Sequence, residues 1–177
     1  MKVLITIFIV IVSIVAILLV VALFIKKDYA IQREIIINKP KQEVFSYVKT
    51  LKNQNSYNKW WMMDPNVQKD YRGIDGTEGF VAAWDSKKSG VGKGEQEIKK
   101  IKEGERIDCE IRFEKPFKAV ANTSMTTDSI APNQTKVTWV FAGRYDYPMN
   151  LMNLFVGKIL GGDLQTSMEN LKTAVEK

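Results

Sequence analysis

The side chains that do most proton, metal and nucleophile chemistry are scarce in this sequence. Its 177 residues contain no histidine and a single cysteine, Cys109. That excludes imidazole-based triads, histidine metal sites, disulfides within the chain and CxxC redox pairs. It also removes the usual base that titrates near neutral pH. Glu95 and Glu97 alternate along one segment and read as the solvated face of a strand, so no carboxylate pair is placed for general acid–base work. The run Ser86-Lys87-Lys88-Ser89-Gly90-Val91-Gly92-Lys93-Gly94 invites a phosphate-loop reading and fails it. Lys87 stands five residues before Gly92, Gly94 takes the Ser/Thr position, and the run joins two strands instead of a strand and a helix. It reads as a flexible hairpin loop. Its three lysines could touch anionic lipid headgroups, worth about 1 kcal/mol each near such a surface. No catalytic residue, cofactor or metal site is assigned.

Large apolar side chains, by contrast, recur at spacings that can build a pocket wall. Phe80, Ala82 and Trp84 share one strand face, as do Ile107, Cys109, Ile111 and Phe113, and again Val137, Trp139 and Phe141. As pocket walls they would hold an apolar ligand, and as a filled core they would only pack. Trp60-Trp61-Met62-Met63 stands where a short helix meets a loop. These residues could gate a cavity mouth or face a bilayer interface, where Trp is favoured, or simply plug the core. Arg144 and Tyr145 crowd with Asp146 and Tyr147 ahead of Pro148. At a cavity end either could anchor a ligand oxygen; in a surface turn neither would. With Phe155 and Met168 from the terminal helix, the candidate wall is Trp60, Trp61, Phe80, Trp84, Cys109, Ile111, Phe113, Trp139, Phe141, Tyr145, Phe155 and Met168.

The elements that must position these residues follow from local pattern. Ile31 to Ile37 is rich in β-branched residues and reads as a strand. Pro40 opens a short helix striped by Val44, Phe45, Val48 and Leu51. A second short helix is expected over Asn53–Trp60. Asp75-Gly76 signals a hairpin between strands near Val67–Arg72 and Gly79–Asp85. Further strands fall at about 94–102, 105–114, 118–127 and 135–145. In Arg106–Glu114 the apolar Ile107, Cys109, Ile111 and Phe113 alternate with charge, which marks an antiparallel strand buried on one side. From about Asn150 to Val175 apolar residues recur at steps of three to five, one long helix with a kink expected at Gly161-Gly162. One helix cannot fill the concavity of so wide a sheet, so a gap between them is expected.

Val3 to Ile25 stands apart, an apolar run broken only by Thr6 and Ser13. As a helix it would be about 35 Å long, enough for a hydrocarbon core of about 30 Å. Its Val, Ile, Leu and Phe residues favour insertion by at most about 6 to 11 kcal/mol. Val20-Val21-Ala22 could serve as a signal-cleavage site, but the apolar run continues past it, which favours an anchor over residues 1–27. The chain carries 26 Lys plus Arg against 20 Asp plus Glu, and Lys2, Lys26 and Lys27 flank the span. The remainder, 28–177, is therefore near neutral, and nucleic-acid binding loses its electrostatic argument. Lys26, Lys27, Arg33, Lys39 and Lys41 follow the span, which leans the domain to the cytoplasmic face of a single-pass membrane protein.

The order of elements and several local stretches resemble the START-like, polyketide-cyclase-like superfamily, often called SRPBCC. The stretches are Ile35-Ile36-Ile37-Asn38-Lys39-Pro40 running into Glu43-Val44-Phe45, then Trp60-Trp61 with Asp64-Pro65. Tyr71-Arg72-Gly73 with Gly76 and Gly79 follows, then Trp84 before Gly92-Lys93-Gly94-Glu95, Thr135-Lys136-Val137-Thr138-Trp139 and the closing Leu171-Lys172. Together they cover about 30–176. With its apolar N-terminal segment the chain looks like a membrane-anchored bacterial branch usually labelled polyketide cyclase by similarity. The resemblance implies an α+β helix-grip fold, a curved antiparallel sheet of about seven strands wrapped around the C-terminal helix over a hydrophobic cavity. Members bind lipids, sterols, quinones, hormones or polyketides, and some catalyse cyclisation or dehydration. They share no catalytic set, so none is carried over. The expected partners are a membrane and a hydrophobic small molecule. A cyclase or dehydratase and a protein-interaction module with a vestigial cavity remain the alternatives.

Overall fold

The computed structural model describes residues 1–177. An apolar helix, α1 (Lys2–Phe24), precedes strand β1 (Asp28–Ile37) and helix α2 (Lys41–Lys49). Two one-turn helices follow, α3 (Gln54–Tyr57) and α4 (Lys59–Met62). Strands β2 (Gln68–Arg72), β3 (Val81–Asp85), β4 (Lys93–Lys102), β5 (Arg106–Lys115), β6 (Ala119–Ala131) and β7 (Gln134–Arg144) come next. A 3₁₀ turn over Met149–Met152 leads into α5 (Asn153–Glu176). All seven strands form one antiparallel sheet in the order β1-β7-β6-β5-β4-β3-β2. This is the α+β helix-grip architecture: a sheet with α5 across its apolar face.

Period-two alternation decides which residues face α5. Ile107, Cys109 and Ile111 of β5 and Val137, Trp139 and Phe141 of β7 are buried. On the outer face Arg112 is bracketed by Glu95, Glu97 and Glu110. The Arg112 hydrogen bond holds the Glu95 carboxyl below its ordinary value, and Lys99, then Arg112, do the same for Glu97. These two glutamates are ion-pair partners of a surface arginine.

Two local expectations are modified by tertiary contacts. β1 begins at Asp28 instead of Ile31, because its ladder with β7 extends to Arg144, whose guanidinium pairs with Asp28 at 3.1 Å. Strands β2 and β3 do form a hairpin, but the connection runs from Gly73 to Phe80. Asp75 is held away from a tight turn by accepting from the backbone N–H groups of Leu51 and Lys52 at 2.8 and 3.0 Å. Helix α5 is unbroken through Gly161-Gly162. At Gly161 a Cβ would meet the guanidinium at the flexible end of Arg33 from β1.

Candidate ligand-binding cavity

The single turn of α4 is created by Asn58. Its extended backbone breaks the helical run, and its side-chain oxygen caps the next turn by accepting from Trp60 N at 3.1 Å. Lys59 N in turn donates to Ser167 Oγ of α5 at 2.9 Å. Trp60 and Trp61 are thereby fixed over the sheet, Trp60 against Phe141 with ring centroids 6.3 Å apart and Trp61 against Trp84 at 5.8 Å. Trp84 meets Phe113 edge-on at 6.0 Å. It can lie across β4 because its neighbour in the ladder is Gly94, where a Cβ would press on the indole at 2.8 Å.

Between these rings, the sheet and Leu160 of α5 is a cavity of about 200 Å³. Of the candidates read from the sequence, it gathers Trp60, Trp61, Trp84, Ile111, Phe113, Trp139 and Phe141. The indole N–H of Trp84 donates to Val91 O at 3.2 Å and that of Trp139 to Thr123 Oγ1 at 2.6 Å. Those two rings therefore need no polar partner from a ligand.

The other five candidates lie elsewhere. Phe80 is buried and stacked on Tyr71 at 6.1 Å. Met168 is fully buried on α5. Cys109 borders a separate, much smaller void beside Val48 and Leu51. Burial pushes its thiol up to about 12, so it is no nucleophile near neutral pH. Tyr145 stacks on Tyr29 at 5.2 Å. Phe155 is 57% exposed on α5. Arg144 is tied up by Asp28 and Asp146, away from the cavity.

Sequence reasoning missed part of the wall. Gln96, only 4% exposed, faces inward between the outward Glu95 and Glu97. Strand parity was the signal that could have found it. Ser89, Gly90 and Val91, from the loop read as flexible, close one side of the mouth, and Lys115 with Pro116 forms another. That loop is tied down. Ser86 donates to the Asp64 carboxylate, and Lys88 Nζ donates to Met63 O at 2.8 Å. The Ser86 hydrogen bond holds the Asp64 carboxyl below its ordinary value. Lys115 is the one ionisable residue on the wall, and it lies exposed at the rim.

A helix-grip sheet enclosing an aromatic cavity defines the class of protein. The family follows from residues 29–176, which match the one described as polyketide cyclase/dehydrase and lipid transport. The chain belongs to that family. Among solved structures, truncated norcoclaurine synthase from Thalictrum flavum matches with a TM-score of 0.64 at 7% identity, over 85% of this chain and 96% of that one. A Helicobacter pylori hypothetical protein matches at 0.63 and 11%, over 84% and 89%. A Chromobacterium violaceum protein matches at 0.57 and 17%, over 84% and 97%. At these identities the likeness is one of fold. No curated protein matches the chain by sequence.

Proposed function

We propose that residues 1–27 anchor the chain in a membrane and that residues 28–177 take a hydrophobic small molecule of lipid, quinone, isoprenoid or polyketide type into the cavity. The observation that carries this reading is the wall: four tryptophans and two phenylalanines around about 200 Å³, with one ionisable residue, at the rim. Such a wall supplies dispersion and apolar area. It holds no paired acid and base, which favours binding over cyclase-type turnover. The volume is below the roughly 300–1,000 Å³ of pockets that enclose drug-sized ligands. A ligand therefore enters by one ring or chain segment and leaves the rest at the mouth. The Gln96 amide on the wall supplies a hydrogen bond for a carbonyl or hydroxyl on that segment. Helix α1 is long and apolar enough to cross a bilayer. The lysines and arginine that follow it favour the cytoplasmic side for the domain.

The test is native mass spectrometry of the full chain released from nanodiscs made with its own membranes. An apolar adduct of a few hundred daltons is expected on the native chain. It should be lost from Ile111→Phe, whose larger ring occupies the cavity at a stability cost of at most about 1–3 kcal/mol. A native chain that stays unliganded after incubation with membrane lipid extract would overturn the reading.

A further inference from the structure

The cavity mouth and the exit of α1 lie at the same end of the sheet, and the ladder register carries the point across it. Asp28, the first residue after the segment that leaves α1, pairs with Arg144. Gly143 pairs with Ala121, Ala119 with Phe113, and Phe113 with Gly94. Lys93 then pairs with Asp85. The β5–β6 turn and the β3–β4 loop, which form two sides of the mouth, therefore lie at the same end of the sheet as the start of β1, two to five strands across it.

No free linker separates this end from α1. Asn150, 1% exposed, donates through Nδ2 to Ala22 O at 2.6 Å and Ile25 O at 2.8 Å. Asn153 donates to Lys26 O and Lys27 O at 2.7 and 2.9 Å. Tyr145 N donates to Lys27 O at 3.0 Å. Ala22, in the last turn of α1, is buried while the rest of that helix is bare. The segment Met149–Asn153 is thus held level with the end of the span.

Around this junction the molecule exposes apolar side chains that nothing in the chain covers. Phe117 on the β5–β6 turn is 73% exposed, and Met149, Met152, Leu154, Phe155 and Ile159 are 43–61% exposed. Ile159 lies about 9 Å along α5 from its first residue, comparable to the thickness of a headgroup layer. Lys26, Lys27, Lys118 and Lys158 are exposed among them and pair with no carboxylate. The carboxylates at this end, Asp28, Asp146, Asp85 and Glu114, are each engaged by Arg144 or Lys93.

We infer that this rim docks on the anionic surface of the bilayer that α1 spans, Phe117 and the first two turns of α5 entering the interface so that the cavity mouth opens toward lipid. The inference rests on the membrane-anchored reading above. Continuity with the span selects the occupant. A surface whose apolar residues begin at the last buried turn of a membrane helix, with unpaired lysines beside them, faces lipid and headgroups before any other partner.

The test uses the full chain in vesicles of phosphatidylcholine with phosphatidylserine. Phe117→Cys and Ile159→Cys are labelled with a fluorophore, and Ile74→Cys is the control. Ile74 is 75% exposed on the β2–β3 connection at the opposite end of the sheet, and Cys109 is buried and stays unlabelled. Quenching by spin-labelled lipid should be several-fold stronger at 117 and 159 than at 74, and quenching by aqueous iodide several-fold weaker. Hydrogen exchange on the unlabelled chain should slow over 115–119 and 149–159 in vesicles relative to detergent. Equal quenching at all three positions would overturn the inference. So would shielding from iodide without lipid quenching, which assigns the face to a second copy. The labels report docking whether or not the cavity is filled. A seated rim on a chain without adduct overturns only the ligand reading, and a loaded chain with a water-facing rim overturns only the docking.

Discussion

The two ends of α5 meet the same sheet and differ in what else arrives there. At the C-terminal end Leu164, Met168, Leu171 and Val175 are at most 6% exposed, packed with Val44, Phe45 and Val48 of α2 and with Tyr57 of α3. At the N-terminal end Leu154, Phe155 and Ile159 stand in the open, and the space under Leu160 is hollow. A single helix fills the sheet's concavity only where a second layer joins it. α2 and α3 supply that layer at one end, while at the other only the Trp60-Trp61 turn leans over. The closed end carries stability, and the open end is where the proposed ligand and membrane contacts fall.

This contrast can be broken most forcefully at the closed end. Leu171→Ala, which empties a fully buried site, should cost about 2–5 kcal/mol, read as a lower denaturation midpoint of the full chain in detergent. A loss below about 1 kcal/mol would show that the closed end is no better packed than the open one. Next comes the junction. Asn150→Leu removes two hydrogen bonds to the end of α1 and should cost about 1–3 kcal/mol, with faster amide exchange over 22–27 and 149–153 and little change over 164–175. Equal acceleration in both regions would show that the ends do not unfold separately.

Tyr57 gives a smaller and opposite effect. Its hydroxyl is buried without a protein partner, and burial holds the phenol above its ordinary pKa. Tyr57→Phe should leave the edge-on contact with Trp139 in place and leave stability unchanged or raised by up to about 1 kcal/mol. A clear loss would mean that the hydroxyl is satisfied. The smallest effect belongs to the loop at the mouth. Asp64 has a lowered pKa in the folded chain, so the tie to Ser86 is fully present above the ordinary carboxylate pKa and is lost as pH falls through the lowered value. Amide exchange over 86–92, corrected for its intrinsic pH dependence, should accelerate only in that acid window. Asp64→Asn should remove the pH dependence.

Parity and period were legible residue by residue. The alternation through Ile107, Cys109, Ile111 and Phe113 put all four on one side of β5, and the structure keeps them there. Where along the strand the hollow falls was not legible. Ile111 and Phe113 line the cavity, whereas Cys109, two residues earlier, borders the filled end, because α2 and α3 cover that stretch and no local pattern encodes their reach. Phe80 and Met168 were candidates for the same reason and went to the core. Gln96 sits between two outward glutamates whose charge marks the solvated face, so only its parity in β4 places it inside. The loop over 86–92 looked flexible by composition, yet contacts from Asp64 and Met63 hold it.

The sequence by itself determined the apolar span, the strands and helices, their inward faces and the poverty of proton-transfer chemistry, since each depends on residue type and spacing over a few positions. The tertiary structure alone decided that the strands close in the order that sets β1 beside β7, that the hollow opens at the end where α1 leaves, and that Asn150 and Asn153 lock that end to the span. Those outcomes rest on contacts between residues more than a hundred positions apart, where ladder register and helix docking are chosen together and no short stretch of chain carries the information.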